Sequence, residues 1–165
     1  MKKLAALFFP AIVLLGMACE QQTNPFRPEP AEDRSEEDEA AIVDYLAENN
    51  LQDEAQRHES GLYYIIEEEG EGATNPTPSS LVLIKYKGYL MDETVFEETE
   101  EGDAVQFNLS NEMSGWRIGI PLIKKGGKIK LIIPSNLAYA NSPPAALGIP
   151  EYAILVFEIE LVNFL

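Results

Sequence analysis

The chain has 165 residues, 45% of them apolar, which suits one globular domain with additional segments. Its formal charge of −16 excludes a nucleic-acid partner, which needs a basic footprint, and excludes adhesion of the bare protein surface to anionic lipid. The single cysteine rules out an internal disulfide, so the core alone must hold the fold.

The first residues are basic (Lys2, Lys3), then apolar from Leu4 to Leu15, then small before Cys19. Residues 1–18 therefore read as a secretory signal peptide. A membrane span needs about 20 apolar residues, and this run is shorter and broken by Pro10. A lone cysteine closing such a run resembles a bacterial lipobox, although Gly16 stands where leucine is usual. The resemblance implies acylation of Cys19 and attachment to a membrane through acyl chains, since two or more chains anchor stably where one does not. Cleavage removes Lys2 and Lys3 and moves the formal charge to −18, from −16. Localisation in the cell envelope is expected, with the outer membrane favoured over the inner because Glu20 replaces the aspartate linked to inner-membrane retention.

Residues 19–34 are rich in Gln, Pro and Glu and read as a flexible acidic tether. Residues 35–60 hold a short helix and a linker. Ser35 is expected to cap the helix ahead of an acidic first turn, Ile42, Val43 and Leu46 follow at helical spacing, and Asn49-Asn50 is the stop. The pattern leaves open whether this helix docks or meets a partner. Composition sets it outside the domain at 61–165, so a chain beginning near Ser60 is expected to fold. His58 reads as a solvated loop residue.

Strands are expected at 62–66, 81–90, 104–109, 128–133 and 153–162, with a loop at 70–80. Lys128 and Lys130 alternate with Ile129 and Leu131, and Leu155, Phe157, Ile159 and Leu161 share a face opposite Glu158 and Glu160. One helical stretch, near 114–123, carries Trp116, Ile120 and Ile123. Several antiparallel strands around one short helix make the fold class α+β. No cofactor and no metal are expected. The acidic runs 36–39, 67–69 and 97–101 lack the alternating ligands and glycine of a calcium loop, and no phosphate-binding loop or nucleophile elbow is present.

An ordered series of aromatics and glycines carries the functional information. It runs Val82-Leu83-Ile84-Lys85-Tyr86-Lys87-Gly88-Tyr89-Leu90, Phe96-Glu97, Gly115-Trp116-Arg117-Ile118-Gly119, Lys125-Gly126-Gly127-Lys128, Pro134, Leu137-Ala138-Tyr139, Gly148-Ile149-Pro150 and Leu155-Val156-Phe157-Glu158. Order and spacing over about 100 residues resemble the FKBP-type peptidyl-prolyl cis-trans isomerases, in a lipoprotein form of which a subset is associated with gliding motility.

The resemblance implies a curved antiparallel half-barrel sheet wrapped around one helix, with an aromatic pocket between them and proline-containing polypeptides as clients of a monomer. It places Trp116 at the pocket floor, Tyr86, Phe96 and Phe157 as walls, and Ile149 at the rim. Tyr139 presents a hydroxyl, Glu97 supplies the carboxylate beside Tyr86, and Met113 inherits the backbone N–H that meets a substrate carbonyl. The sequence departs from the family pattern at Glu97 (usually aspartate), Val105 (a wall aromatic), the segment before Met113, Ala140 (glycine) and Glu151 (proline). Two readings stay open: an isomerase acting on exported or envelope proteins, and an FKBP-like binding or chaperone module with little turnover.

Overall fold

The computed structural model describes residues 33–165, so the expectations for residues 1–32, including Cys19, lie outside the described residues. Helix α1 (Ser35–Glu48) opens the described chain. Ser35 does not cap it: Arg34 holds the N-cap position without a side-chain bond, and the Ser35 N–H donates to Asp33 Oδ1 at 3.1 Å. The aspartate two residues earlier takes over the acceptor role expected of the serine. The stop is as read. Asn49 Nδ2 donates to the Tyr45 carbonyl at 2.8 Å, and Asn50 turns left-handed at φ 58°.

The strands β1 (Gln56–Arg57), β2 (Tyr63–Glu68), β3 (Leu81–Leu90), β4 (Val95–Glu98), β5 (Val105–Asn108), β6 (Lys128–Ile133) and β7 (Leu155–Phe164) form one antiparallel sheet among the described residues. Its order is β1-β2-β6-β7-β3-β4, with β5 also on β3. The long central strands β3 and β7 pair from Val82↔Phe164 to Leu90↔Leu155, and β7 pairs on its other side with β6. Strands β1 and β4 are additions to the sequence reading. His58, next to β1, is half-buried, and its Nδ1 accepts the Ser60 N–H at 3.1 Å.

Alternation along the strands divides the sheet into two faces. Ile129, Leu131 and Ile133 of β6 join Leu155, Phe157, Ile159 and Leu161 of β7 in the main core, with Val82, Ile84 and Tyr86 of β3. Helix α2 (Ser114–Gly119), continued by a 3-10 turn at Ile120–Leu122, lies on this face. A Cβ on Gly115 would sit 2.5 Å from Ile133 Cγ2, and one on Gly119 would sit 2.5 Å from Leu131 Cδ2. Both glycines are therefore needed for α2 to rest directly on β6.

The opposite face is not simply wet. Ile42, Tyr45 and Leu46 of α1 bury against Tyr63, Tyr89, Ile132, Ile154 and Val156 in a second core. The helix docks, which the sequence left undecided. Burial of three such side chains contributes about 1.5–3 kcal/mol each, so α1 is part of what holds the domain together. Beyond the helix the same face carries ion pairs, Lys130–Glu158 at 3.2 Å and Lys128–Glu68 at 2.6 Å.

Candidate functional site

Where α2 meets β3 and β7, aromatic rings surround the indole of Trp116, which is 3% exposed. Tyr86, Phe107 and Phe157 approach it at centroid distances of 5.3, 5.3 and 5.1 Å, each nearly perpendicular, at 74°, 89° and 80°. Edge-to-face contact satisfies the ring quadrupoles and keeps the rings from collapsing into a stack. Phe96 of β4 extends the wall, 5.5 Å from Phe157. The cluster exists because β3, β4, β5 and β7 are adjacent and each points an aromatic to the α2 side.

Val105 is 42% exposed and stays out of the ring cluster. The second wall aromatic comes instead from Phe107, two residues further along β5 and so on the same strand face, 5.7 Å from Tyr86. The sequence reading missed Phe107; strand parity, counted on from position 105, is the signal that leads to it.

Met113 is half-buried just ahead of α2, and its carbonyl accepts the Trp116 and Arg117 N–H groups at 3.1 and 3.2 Å. Its own N–H has no partner among the described residues. Neither does Trp116 Nε1, which is buried. Both donors lie at the N-terminal end of α2.

Tyr139 and Ile149 come from the long connection between β6 and β7. Ile149 is buried and follows Gly148, left-handed at φ 65°, while Tyr139 is half-buried. Burial raises the Tyr139 phenol above its usual range, and the carboxylates of Glu97 and then Glu112 push it further. Tyr86 is raised strongly, by burial first and then by Glu97. Both phenols thus remain protonated donors at physiological pH. Glu112 escaped the sequence reading. It is half-buried, and burial followed by the Glu97 charge lifts its carboxyl above the usual range. Among the described residues no cluster of His, Cys, Asp or Glu is arranged to hold a metal ion.

The family described as FKBP-type peptidyl-prolyl cis-trans isomerase matches residues 72–162. The chain belongs to the FKBP family. Among curated relatives, a probable FKBP-type isomerase FkpA of Neisseria meningitidis is 36% identical over 92% of this chain and 54% of its own length. FkpA of Escherichia coli K12 is 41% identical over 63% of this chain and 38% of its own length. The chain thus spans about half or less of the length of these relatives. The crystal structure of E. coli FkpA superposes with a TM-score of 0.68 at 36% identity, covering 79% of this chain and 60% of that one. A peptidyl-prolyl cis-trans isomerase from Pseudomonas syringae pv. tomato gives 0.66 at 26% identity, covering 82% and 98%. The α+β fold read from the sequence is the FKBP fold.

Proposed function

We propose that the protein is a peptidyl-prolyl cis-trans isomerase that takes a proline ring onto Trp116. The observation that carries this reading is the Trp116 floor, ringed edge-on by Tyr86, Phe107 and Phe157 and flanked by the unpaired Met113 N–H. Rotation about a prolyl amide is opposed by about 18–20 kcal/mol of resonance. The planar amide is more charge-separated than the twisted one, so an apolar site disfavours the ground state relative to the transition state. Each ~1.4 kcal/mol of that difference is a tenfold rate.

In this reading Trp116, Phe107, Phe157 and Phe96 exclude water from the ring and Ile149 closes the rim. The Met113 N–H holds the carbonyl after the proline, and the Tyr139 hydroxyl donates to the carbonyl before it as the bond turns. Tyr86 is steadied by Glu97. No covalent step or metal enters this mechanism.

The test is NMR exchange or protease-coupled turnover on short peptides with several residues preceding proline. Acceleration over the uncatalysed exchange of tens to hundreds of seconds supports the assignment. Binding without acceleration would leave a prolyl-segment binding module, the reading favoured by the changed residue at Glu97.

For the clients we propose proline-containing exported or envelope polypeptides, met by a monomer anchored through acylated Cys19. The support is the apolar run ending in the only cysteine, and a formal charge of −16 that repels anionic lipid. Mass spectrometry of the mature N-terminus tests it: an unmodified N-terminus downstream of Cys19 removes the anchor from the proposal. Among the described residues no helix is long and apolar enough to cross a membrane.

A further inference from the structure

Asp38 is 4% exposed, a costly place for a carboxyl unless its oxygens are bonded. Its Oδ2 accepts from both the backbone N–H and the hydroxyl of Ser135, at 2.8 and 2.6 Å. Ser135, itself 2% exposed, begins the connection that carries Tyr139 and Ile149. The Ser135 carbonyl accepts the N–H groups of Ala138 and Ala140, at 3.1 and 3.0 Å, one on each side of Tyr139. The Ala140 carbonyl in turn accepts the Tyr152 N–H at 2.7 Å. The Tyr152 ring lies under the Arg34 guanidinium, 5.4 Å from its carbon to the ring centroid. Both ends of the segment 134–152 therefore end on α1's first turn and the residue before it.

Docking alone does not need this arrangement. Ile42, Tyr45 and Leu46 already supply an apolar face, and an apolar residue at position 38 would dock the helix without the desolvation cost. What a doubly bonded carboxyl adds is a fixed position for Ser135, and through it for the backbone around Tyr139. We propose that the first turn of α1 is a positioning element for the pocket, in which Asp38, acting through Ser135, and Arg34, acting through Tyr152, set where the Tyr139 hydroxyl stands. The proposal rests on reading the pocket as a prolyl-isomerase site, with Tyr139 as a working donor.

The test uses the full chain with Asp38→Asn and, as the milder change, Ser135→Ala, each also combined with Tyr139→Phe. Turnover is measured well below the unfolding temperature, beside hydrogen exchange of the amides of residues 137–140. Asp38→Asn is expected to lower kcat about three- to tenfold with KM nearly unchanged, and to cost much less once the Tyr139 hydroxyl is gone, because the two act as one unit. The amides around Tyr139 should exchange faster. An equal loss in both backgrounds, or a lower melting temperature with kcat intact, overturns the positioning role. Should Asp38→Asn fail to fold, Ser135→Ala decides by the same criteria. If the wild type itself shows no acceleration, the isomerase reading falls, and the exchange measurement still decides: unchanged protection at 137–140 overturns the clamp.

Discussion

Gly88 runs so close beneath Phe157 that a Cβ there would stand 2.6 Å from the ring's Cε1. The Phe96 ring would lie almost as near, at 2.7 Å. Both rings belong to the aromatic cluster around Trp116, and Phe157 is only 1% exposed, so it has nowhere to retreat. Gly88→Ala should cost about 1–3 kcal/mol by overpacking, and the displaced walls should reduce peptide turnover more than the stability loss alone explains. Denaturant unfolding beside an exchange assay checks this; wild-type turnover in the variant would show that the walls tolerate the shift.

Tyr139→Phe removes one hydroxyl and keeps the ring. Turnover should fall about three- to thirtyfold, the size of one ordinary to somewhat stronger hydrogen bond. Thermal stability should barely change, since in the proposed role the hydroxyl faces the bound peptide. A large drop in melting temperature would place the hydroxyl in the fold rather than the reaction.

Ala140 sits at φ 49°, in the left-handed region where a Cβ is strained by about 1–2 kcal/mol. Ala140→Gly should therefore stabilise the domain by about 0.5–1 kcal/mol, after the extra chain entropy of glycine is subtracted. Calorimetry reads it, and destabilisation would mean that the alanine methyl makes contacts worth more than the strain.

Glu112 gives a pH-dependent prediction. Its carboxyl is raised in the fold, so its ionisation opposes folding: the contribution is most favourable below the unfolded value and is lost as pH rises through the folded one. Glu112→Gln should raise the melting temperature at pH 7 by about 1–3 °C, a small effect because water still reaches the group. The gain should vanish near pH 3, where the wild-type carboxyl is protonated. A gain of equal size at both pH values would assign it to packing instead of charge.

A chain shortened to begin near Ser60 loses α1 and bares Tyr63, Tyr89, Ile132 and Val156. The docking revises the expectation that such a fragment folds untroubled. It should unfold several degrees lower, or without cooperativity, since about 1.5–3 kcal/mol per buried side chain is large against a total of about 5–15 kcal/mol. A melting temperature equal to that of the longer chain would show α1 to be dispensable.

Much of the fold was legible because alternation is a strong sign. Strands β3 and β6 begin and end where apolar periodicity put them, and the inward residues of β7 were the inward residues. Strand β4 was not legible: Val95-Phe96-Glu97-Glu98 has two apolar residues among acids, and its extension comes from pairing with β3. The docking of α1 was hidden for a related reason. It needs Tyr89, Ile132 and Val156 on the face that alternation assigns to water, and only their combination across three strands makes an apolar patch. The rings of Tyr86, Phe96, Trp116 and Phe157 stand in one cluster. Phe107 was passed over because the missing aromatic was sought at position 105. Asp38 looked like one more first-turn acid; its bond to a serine 97 positions away is a tertiary event that no local pattern records.

The sheet borders limit how another chain can add to this protein. One margin is the two-residue β1, and the other is made of the four-residue β4 and β5, with Glu97 and Glu98 on the former. Short margins bearing charge are poor templates for a further strand. A non-native chain that meets these margins finds only short stretches of backbone to zip onto. Contact with another chain is then less prone to seed a shared cross-strand aggregate.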